Sequence, residues 1–411
     1  MLIQTGSTSS MGDLREPITP EGRGLLDILD AHLPSIQAGA NENDRNGTFP
    51  VETFERLNKD GVLSATVPKE LGGLGVDCLH DVALALLKVA ESDASTALAL
   101  HMQFSRAYTL NYEWRHGSDA ARALAERILR PMGSGDAVVC TTVKDAGGGR
   151  IVTKLTPDGG GGWLMSGRKT LASMAPIATD FVISVQIPST EGNRPPRLAA
   201  AVVPRNAPGL TVLDNWDGLG MRASGSVDVV LEECPVAAGN VFLRGFVGEQ
   251  DDAALAGATV SSITMLGLYT GVVQAARDIA VKTLVKRGST GAGGTRTLVT
   301  EIDARLYSLR ATVAAALAVA DAPAAGALAD PAERGRRMMT SFQYAKLIVN
   351  RVAPEIVGDC LVAIGGASYS SAHPLSRLYR DVRAGAFMHP YTYADAVDFL
   401  SSQAFPPEQA R

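Results

Sequence analysis

Six histidines, four cysteines and a few hydroxyl and guanidinium side chains define the chemistry open to this chain. The histidines are His32, His80, His101, His116, His373 and His389. No two of them stand in the HExxH spacing that sets paired ligands on one helix face, so a catalytic metal is not expected. Cys78, Cys140, Cys234 and Cys360 lie far apart without a CxxC pair, which argues against a zinc site and against a disulfide framework. Two histidines hold interest. His101 interrupts the apolar run ALALHMQF, where an imidazole either donates to a carbonyl in the core or is aimed into a pocket for proton transfer. His389 lies in AFMHPY, and Pro390 behind it biases the backbone toward an extended or turned form. A histidine on such a turn is either simply exposed or presented to a ligand.

Other polar positions carry two readings each. Ser173, after the strand-like GRKTLA, is a turn residue capping its own backbone or a hydroxyl offered to a ligand. Arg222 in GLGMRASGS is a solvated charge or an anion clamp. Ser224-Gly225-Ser226 does not have the form of a nucleophile elbow. Gly365 and Gly366 permit close approach of a backbone to a ligand or to another chain. The segment RLYRDVRAG (377–385) reads as a solvated ion-pair network, since Asp381 sits among its arginines. GAGG at 291–294 has no preceding strand and no Walker lysine, so it is not expected to cradle phosphate.

These residues must be positioned by a chain of 411 residues, long enough for two or three domains. Residues 1–20 read as a flexible tail. Residues 21–135 have helical periodicity, with Pro50 and Glu52 opening one helix. From 136 to 245 short Val-, Ile- and Thr-rich runs (AVVCTTV, RIVTKL, WLMSGRKTL, DFVISVQI, RLAAAVV, VDVVLEECPV) are punctuated by glycine. They predict an antiparallel sandwich or barrel, with a hairpin loop at Asp158–Gly162. Residues 246–411 return to helix, with long helices predicted at 261–287, 301–322 and 338–364, the last bent or ended near Pro354, and a short one at 393–403. The fold class is α+β: N-terminal helical domain, central antiparallel β domain, C-terminal four-helix bundle. Lys plus Arg total 38 against 43 Asp plus Glu, a net charge of −5, which disfavours a nucleic-acid partner. No signal peptide or membrane span is read, so a cytoplasmic protein is expected.

The order helix–strand–helix, with VPKELGGLG, GRKTLASMA, GLGMRASGSVDVVLEECPV, KRGSTG and IGGASYSSAHPLSRLYRDVRAG in sequence over residues 20–404, resembles the acyl-CoA dehydrogenase fold family. Each motif is weak alone; together they are specific. The resemblance implies a flavin between the β domain and the bundle, and a homotetramer. It also exposes departures. The glutamate that removes an α-proton in the family's dehydrogenases aligns with His389, and the alternative glutamate position falls near Ser261 or Ser262. The aromatic beside the flavin aligns with Leu171, the family's RxxFG becomes Arg287–Gly291, and the Gln before the paired glycines becomes Val362. These changes speak against tight, permanent FAD binding.

SRAYTLNYEWRHG, GRKTLASMAPIAT, LDNWDGLGMRASGSVD, FQYAKLIVN and YRDVRAGAFMHPY look most like the nucleotide-sugar nitrososynthases, which are amino-sugar N-oxygenases. That likeness implies a thymidine-diphosphate amino sugar as substrate, with reduced flavin (FAD or FMN) and O2. NAD(P)H would enter only through a partner flavin reductase. A neutral amine attacking an electrophilic oxygen needs no carbon-acid base, which fits the missing glutamates. The implied flavin residues are Thr142, Leu171, Ala172, Ser173, Arg287, Gly365 and Gly366; His101, Arg222 and His389 are the implied substrate contacts, and His389, His101 and Ser173 the catalytic set. Three alternatives stay open: an acyl-CoA dehydrogenase with another base, a different two-component flavin monooxygenase, and a non-catalytic relative.

Overall fold

The computed structural model describes residues 14–147, 152–189, 194–249, 251–291 and 293–405. Residues 1–13 of the expected tail, Arg150 and Ile151 of the expected strand RIVTKL, and Ala292 of GAGG lie outside the described residues. The helical elements are α1 (Pro20–Asn46), α2 (Val51–Lys59), α3 (Leu79–Ser92), α4 (Ala94–His116) and α5 (Asp119–Ser134). Eight strands follow: β1 (Val139–Thr142), β2 (Lys154–Pro157), β3 (Trp163–Ala172), β4 (Asp180–Ile187), β5 (Arg197–Pro204), β6 (Leu210–Val212), β7 (Val227–Val236) and β8 (Val241–Phe246). The chain closes with α6 (Ala254–Val260), α7 (Met265–Lys286), α8 (Gly293–Asp321), α9 (Pro331–Ile364), α10 (Pro374–Asp381) and α11 (Tyr393–Ala404). By contacts it divides into two units, one of 35–77 with 95–251, the other of 1–34, 78–94 and 252–411.

The first unit is built on one eight-stranded sheet in the order β6-β7-β3-β2-β4-β5-β8, with β1 pairing parallel to β4. Period-two alternation sorts its side chains. Phe181, Ile183 and Val185 of β4 join Ala199, Ala201 and Val203 of β5 in one core, with Met165, Val229 and Leu231. Val182 and Val202 face the other way, onto Leu124, Ile128, Leu129 and Met132 of α5 and Leu110 of α4. The hairpin at 158–162 forms as predicted: Asp158 Oδ1 accepts from the Gly160 and Gly162 amides at 2.7 and 2.9 Å. Strand β8 was not read from the sequence, because Arg244 and Gly245 break the apolar pattern of an edge strand whose outer positions stay exposed.

The second unit packs α3 with α6–α11. Glycines let α7 lie directly on α3: a Cβ at Gly267 would stand 2.0 Å from Ala83 O and one at Gly271 2.2 Å from Leu87 O. Asp321, at the end of α8, accepts from the amides of Leu79 and His80 at 2.8 and 2.9 Å. It thereby caps α3, whose own N-cap residue Cys78 supplies no side-chain acceptor. Asp81 likewise accepts from the amides of Ile18 and Thr19, and Leu14 is buried. The segment Ala254–Lys286 is apolar and long enough to cross a membrane by composition, but 72% of its most apolar stretch is buried. It behaves as a packed core helix.

Three readings change here. The expected helix 261–287 is broken at 261–264, where Ser261 Oγ donates to Ala258 O at 3.0 Å, as hydroxyls that bond the preceding turn tend to do. Of the two forms expected at Pro354, a bend or an end, the end does not occur: helix α9 runs through it. Buried Val349, Ala353, Ile356 and Val357 on both sides supply packing that offsets one lost backbone bond. The ion-pair network expected to be solvated at 377–385 is a buried one. Arg377 of α10 places Nη1 2.9 Å from Asp93 Oδ1 and Nη2 3.3 Å from Ser92 O, with Asp381 at 3.9 Å. All three charged side chains are at most 8% exposed.

Candidate functional site

In the sheet unit, two strand ends bring several candidate residues together. The link between them is a buried ion pair. Lys169 of β3 sets Nζ 2.8 Å from Asp145 and 3.1 Å from Val143 O. Asp145 Oδ1 also accepts from the Thr153 amide at 3.0 Å. Backbone bonds from Ala146 N to Arg168 O and from Thr170 N to Lys144 O complete the seam. Burial pulls the Lys169 pKa down, and Asp145 opposes that. The seam fixes the segment after Thr142 against the segment before Leu171.

Thr142 is 1% exposed, and its hydroxyl has no hydrogen-bond partner among the described residues. A buried hydroxyl without a partner costs about 1–3 kcal/mol unless a ligand or water satisfies it. Leu171 is also strained. The β3–β7 register shifts between Lys169 and Ala172, and Leu171 has φ 59° and is 46% exposed. A left-handed leucine at the end of a strand costs about 1–3 kcal/mol, and such strain gathers at ligand sites. Ala172 is fully buried beside it. Ser173 follows, 6% exposed, its Oγ 2.7 Å from Ser226 Oγ, which lies 2.6 Å from Ser224 Oγ.

His101 is 1% exposed on α4. That helix is fastened to β1: Gln103 Oε1 accepts from the Val139 amide at 2.9 Å, and Arg106 Nε donates to Thr141 Oγ1 at 2.8 Å. Desolvation, reinforced by Arg244, lowers the Arg106 pKa to about 10. Arg222 is engaged structurally: Nε donates to Asp44 O at 2.9 Å, and Nη1 lies 3.3 Å from both Gly218 O and Asp217 Oδ1. A cavity of about 220 Å³ elsewhere in this unit, between Arg127, Asp180 and Asn240, includes none of the candidate residues.

In the helical unit, Arg287 follows α7 and donates through Nη1 to Ile364 O at 2.8 Å. This joins it to the Gly365-Gly366 turn, where Gly365 (φ 79°) ends α9 and a Cβ on either glycine would meet nothing within 4 Å. His373 has its pKa lowered by burial and then by the Arg287 charge. His389 is exposed. Its loop is held by Lys346 of α9, whose Nζ donates to Met388 O and to Tyr391 O. Ser262 is buried, and Ser261 Oγ bonds backbone. Among the described residues no group of three His, Cys, Asp or Glu could hold a metal ion.

Sequence reasoning missed Ser224, Ser226, Lys169 and Lys346 as site-supporting residues. The first two were weighed only as a nucleophile motif. For Lys346, the available signal is a lysine inside an otherwise apolar stretch, FQYAKLIV; Lys169, beside Arg168 in SGRKTLA, carries no such signal.

The residues on the sheet unit suit a flavin: a buried unsatisfied hydroxyl, an exposed apolar wall and a hydroxyl at the end of a buried chain. The chain belongs to the acyl-CoA dehydrogenase family. It matches that family's N-terminal domain over residues 32–136, its middle domain over 140–234 and its C-terminal domain over 253–389. Within it, the chain is 59% identical to the L-evernosamine nitrososynthase of Micromonospora sp., covering 95% of this chain and 92% of the relative. It is 58% identical to the amino sugar nitrososynthase DnmZ of Streptomyces peucetius, covering 95% of each. A solved structure of KijD3 in complex with FMN and dTDP-3-amino-2,3,6-trideoxy-4-keto-3-methyl-D-glucose superposes with a TM-score of 0.92 at 61% identity, over 96% of both chains. Short-chain acyl-CoA dehydrogenases are far more distant, such as the mouse enzyme at 26% identity over 87% of this chain and 82% of the relative.

Proposed function

We propose that this protein is a flavin-dependent N-oxygenase that takes the amine of a thymidine-diphosphate amino sugar through hydroxylamine to nitroso. The observation that carries the reading is the near-full-length identity to amino sugar nitrososynthases, more than twice that to the dehydrogenases. The local chemistry agrees with it. By the resemblance, the two family positions for a carboxylate base fall at His389 and near Ser261 or Ser262, none of them a carboxylate, and abstraction of a weakly acidic α-proton without a positioned base forfeits about 10²–10⁴-fold in rate. A neutral amine needs no such base.

When bound, reduced flavin with O2 supplies an electrophilic oxygen atom. Thr142 and Ser173 would offer hydroxyls to the flavin, while Leu171 and Ala172 would wall it and exclude water, which would otherwise divert the oxidant to peroxide. Arg287 would hold flavin phosphate, and Gly365 and Gly366 would let a neighbouring subunit's backbone meet it. His101 and His389 are the proposed polar contacts to the substrate amine or its oxidant. Arg222 is kept as a proposed substrate contact: its Nε and Nη1 are held by Asp44 O and Gly218 O, and its side chain is 32% exposed. The reading keeps three domains, at 21–135, 136–245 and 246–411, a separate reductase as the source of reduced flavin, and a cytoplasmic location. It also keeps a homotetramer, supported by Val362, Tyr369 and Phe387, which are 70–89% exposed on the helical unit.

The test is mass spectrometry of a thymidine-diphosphate amino sugar incubated with the protein, a flavin reductase, NADH and 18O2. The expected product carries 18O on nitrogen. Unlabelled sugar together with acyl-CoA-dependent dye reduction would overturn the reading in favour of a dehydrogenase.

A further inference from the structure

Three serine hydroxyls form a short chain in the sheet unit: Ser224 Oγ to Ser226 Oγ at 2.6 Å, and Ser226 Oγ to Ser173 Oγ at 2.7 Å. Their exposures rise along it, from 0% at Ser224 through 4% at Ser226 to 6% at Ser173. The local backbone is built to hold them. Gly225 has φ 59°, and a Cβ there would stand 2.6 Å from Pro176 Cδ and 2.8 Å from Phe49 Cδ2, so the glycine turns the chain and points the two flanking serines inward. The Met174 amide donates to Ser224 O at 3.0 Å, which ties this turn to the residue after Ser173.

Each hydroxyl has one proton to give, so the chain has a direction. If Ser173 donated to Ser226 and Ser226 to Ser224, the last proton would be on Ser224, which is fully buried and has no further side-chain hydrogen bond among the described residues. If Ser226 accepted from both neighbours, its own proton would be stranded at 4% exposure. Either arrangement leaves an unsatisfied donor in a dry place, which is costly. Only donation from Ser224 to Ser226 to Ser173 places the last proton on Ser173, the least buried of the three and two residues from exposed Leu171.

We propose that Ser224 and Ser226 are positioning residues that force the Ser173 hydroxyl to act as a donor toward the flavin. The inference rests on the flavin reading of Ser173 and extends it. Ser226 O–H donates a hydrogen bond to Ser173 Oγ, which leaves the Ser173 O–H no partner among the described residues and directs it to an acceptor atom on the ligand. Polarisation along the chain strengthens that last bond.

A double-mutant cycle tests this without relying on turnover. Dissociation constants for reduced and oxidised flavin are measured by fluorescence for the wild type, Ser173→Ala, Ser226→Ala and the double variant, with circular dichroism as the check on folding. Ser226→Ala is expected to weaken flavin binding about 3–10-fold in the wild-type background, the size of one hydrogen bond, and less than about 1.5-fold in the Ser173→Ala background. Ser226→Thr, which keeps the hydroxyl, is expected to restore wild-type affinity. Equal effects of Ser226→Ala in both backgrounds would overturn the relay while leaving Ser173 at the flavin. No effect of Ser173→Ala would overturn both the relay and the placement of Ser173. If Ser226→Ala fails to fold, Ser224→Ala enters the same cycle with the same expectations.

Discussion

Replacing Arg377 by methionine tests the buried network of α10. The guanidinium reaches Asp93 Oδ1 at 2.9 Å and Ser92 O at 3.3 Å, with Asp381 at 3.9 Å, and the three charged side chains are 8%, 2% and 0% exposed. Methionine fills much of the same volume but takes the cation from two buried carboxylates. Removing one partner of a buried ion pair costs about 3–5 kcal/mol. For a unit of 150–250 residues each kcal/mol moves the melting temperature by roughly 2–4 °C, so Arg377→Met is expected to melt about 6–20 °C lower. Arg377→Lys keeps the charge without the fork and should fall between the two. Asp93→Asn should cost less than Arg377→Met, because it leaves the guanidinium beside Asp381. Differential scanning fluorimetry at neutral pH and moderate salt reads all four proteins. An Arg377→Met protein within about 2 °C of wild type would show that the network is electrostatically inert.

Leu171→Phe should crowd the exposed wall and reduce sugar oxidation while releasing more peroxide per NADH consumed; normal coupling would place the wall elsewhere. His389→Ala, a change at an exposed residue, should cost the fold little but should slow turnover or raise uncoupled peroxide. Unchanged steady-state kinetics would remove His389 from the mechanism. Burial lowers the Lys346 pKa from 10.5 to about 8, with Asp395 opposing the shift. Between those values the native state holds fewer protons than the unfolded chain, so this group's contribution to stability rises with pH across about pH 8 to 10.5. The melting temperature of wild type relative to Lys346→Met should therefore climb through that window; a flat difference would mean the ammonium keeps its ordinary pKa.

The alternation of helical and strand periodicities made the three-part order legible, because amphipathic faces leave a mark every two or three to four residues. Leu171 was legible as a departure only through the family resemblance; its left-handed backbone was not, since a leucine carries no sign of the register shift that forces it. Thr142 could be placed the same way, whereas its lack of a partner depends on neighbours brought in by the β1–β4 pairing. Arg377 misled because an arginine beside an aspartate four residues on has the spacing of a surface pair. Its main partner, Asp93, lies 284 positions earlier in the chain. The hydroxyl chain joins residues 53 positions apart and could not be read from a local motif.

The capping of α3 by Asp321 has a consequence for synthesis on the ribosome. The segment 78–94 belongs to a unit whose largest piece begins only at residue 252, and the acceptor for its first amides arrives 242 residues behind Leu79. A nascent chain halted before that point carries α3 with its apolar faces unmatched and its amino end unsatisfied. Truncation after the β region is therefore expected to leave the 78–94 segment without most of its own unit, and that segment has to be kept from aggregating until the C-terminal helices have emerged.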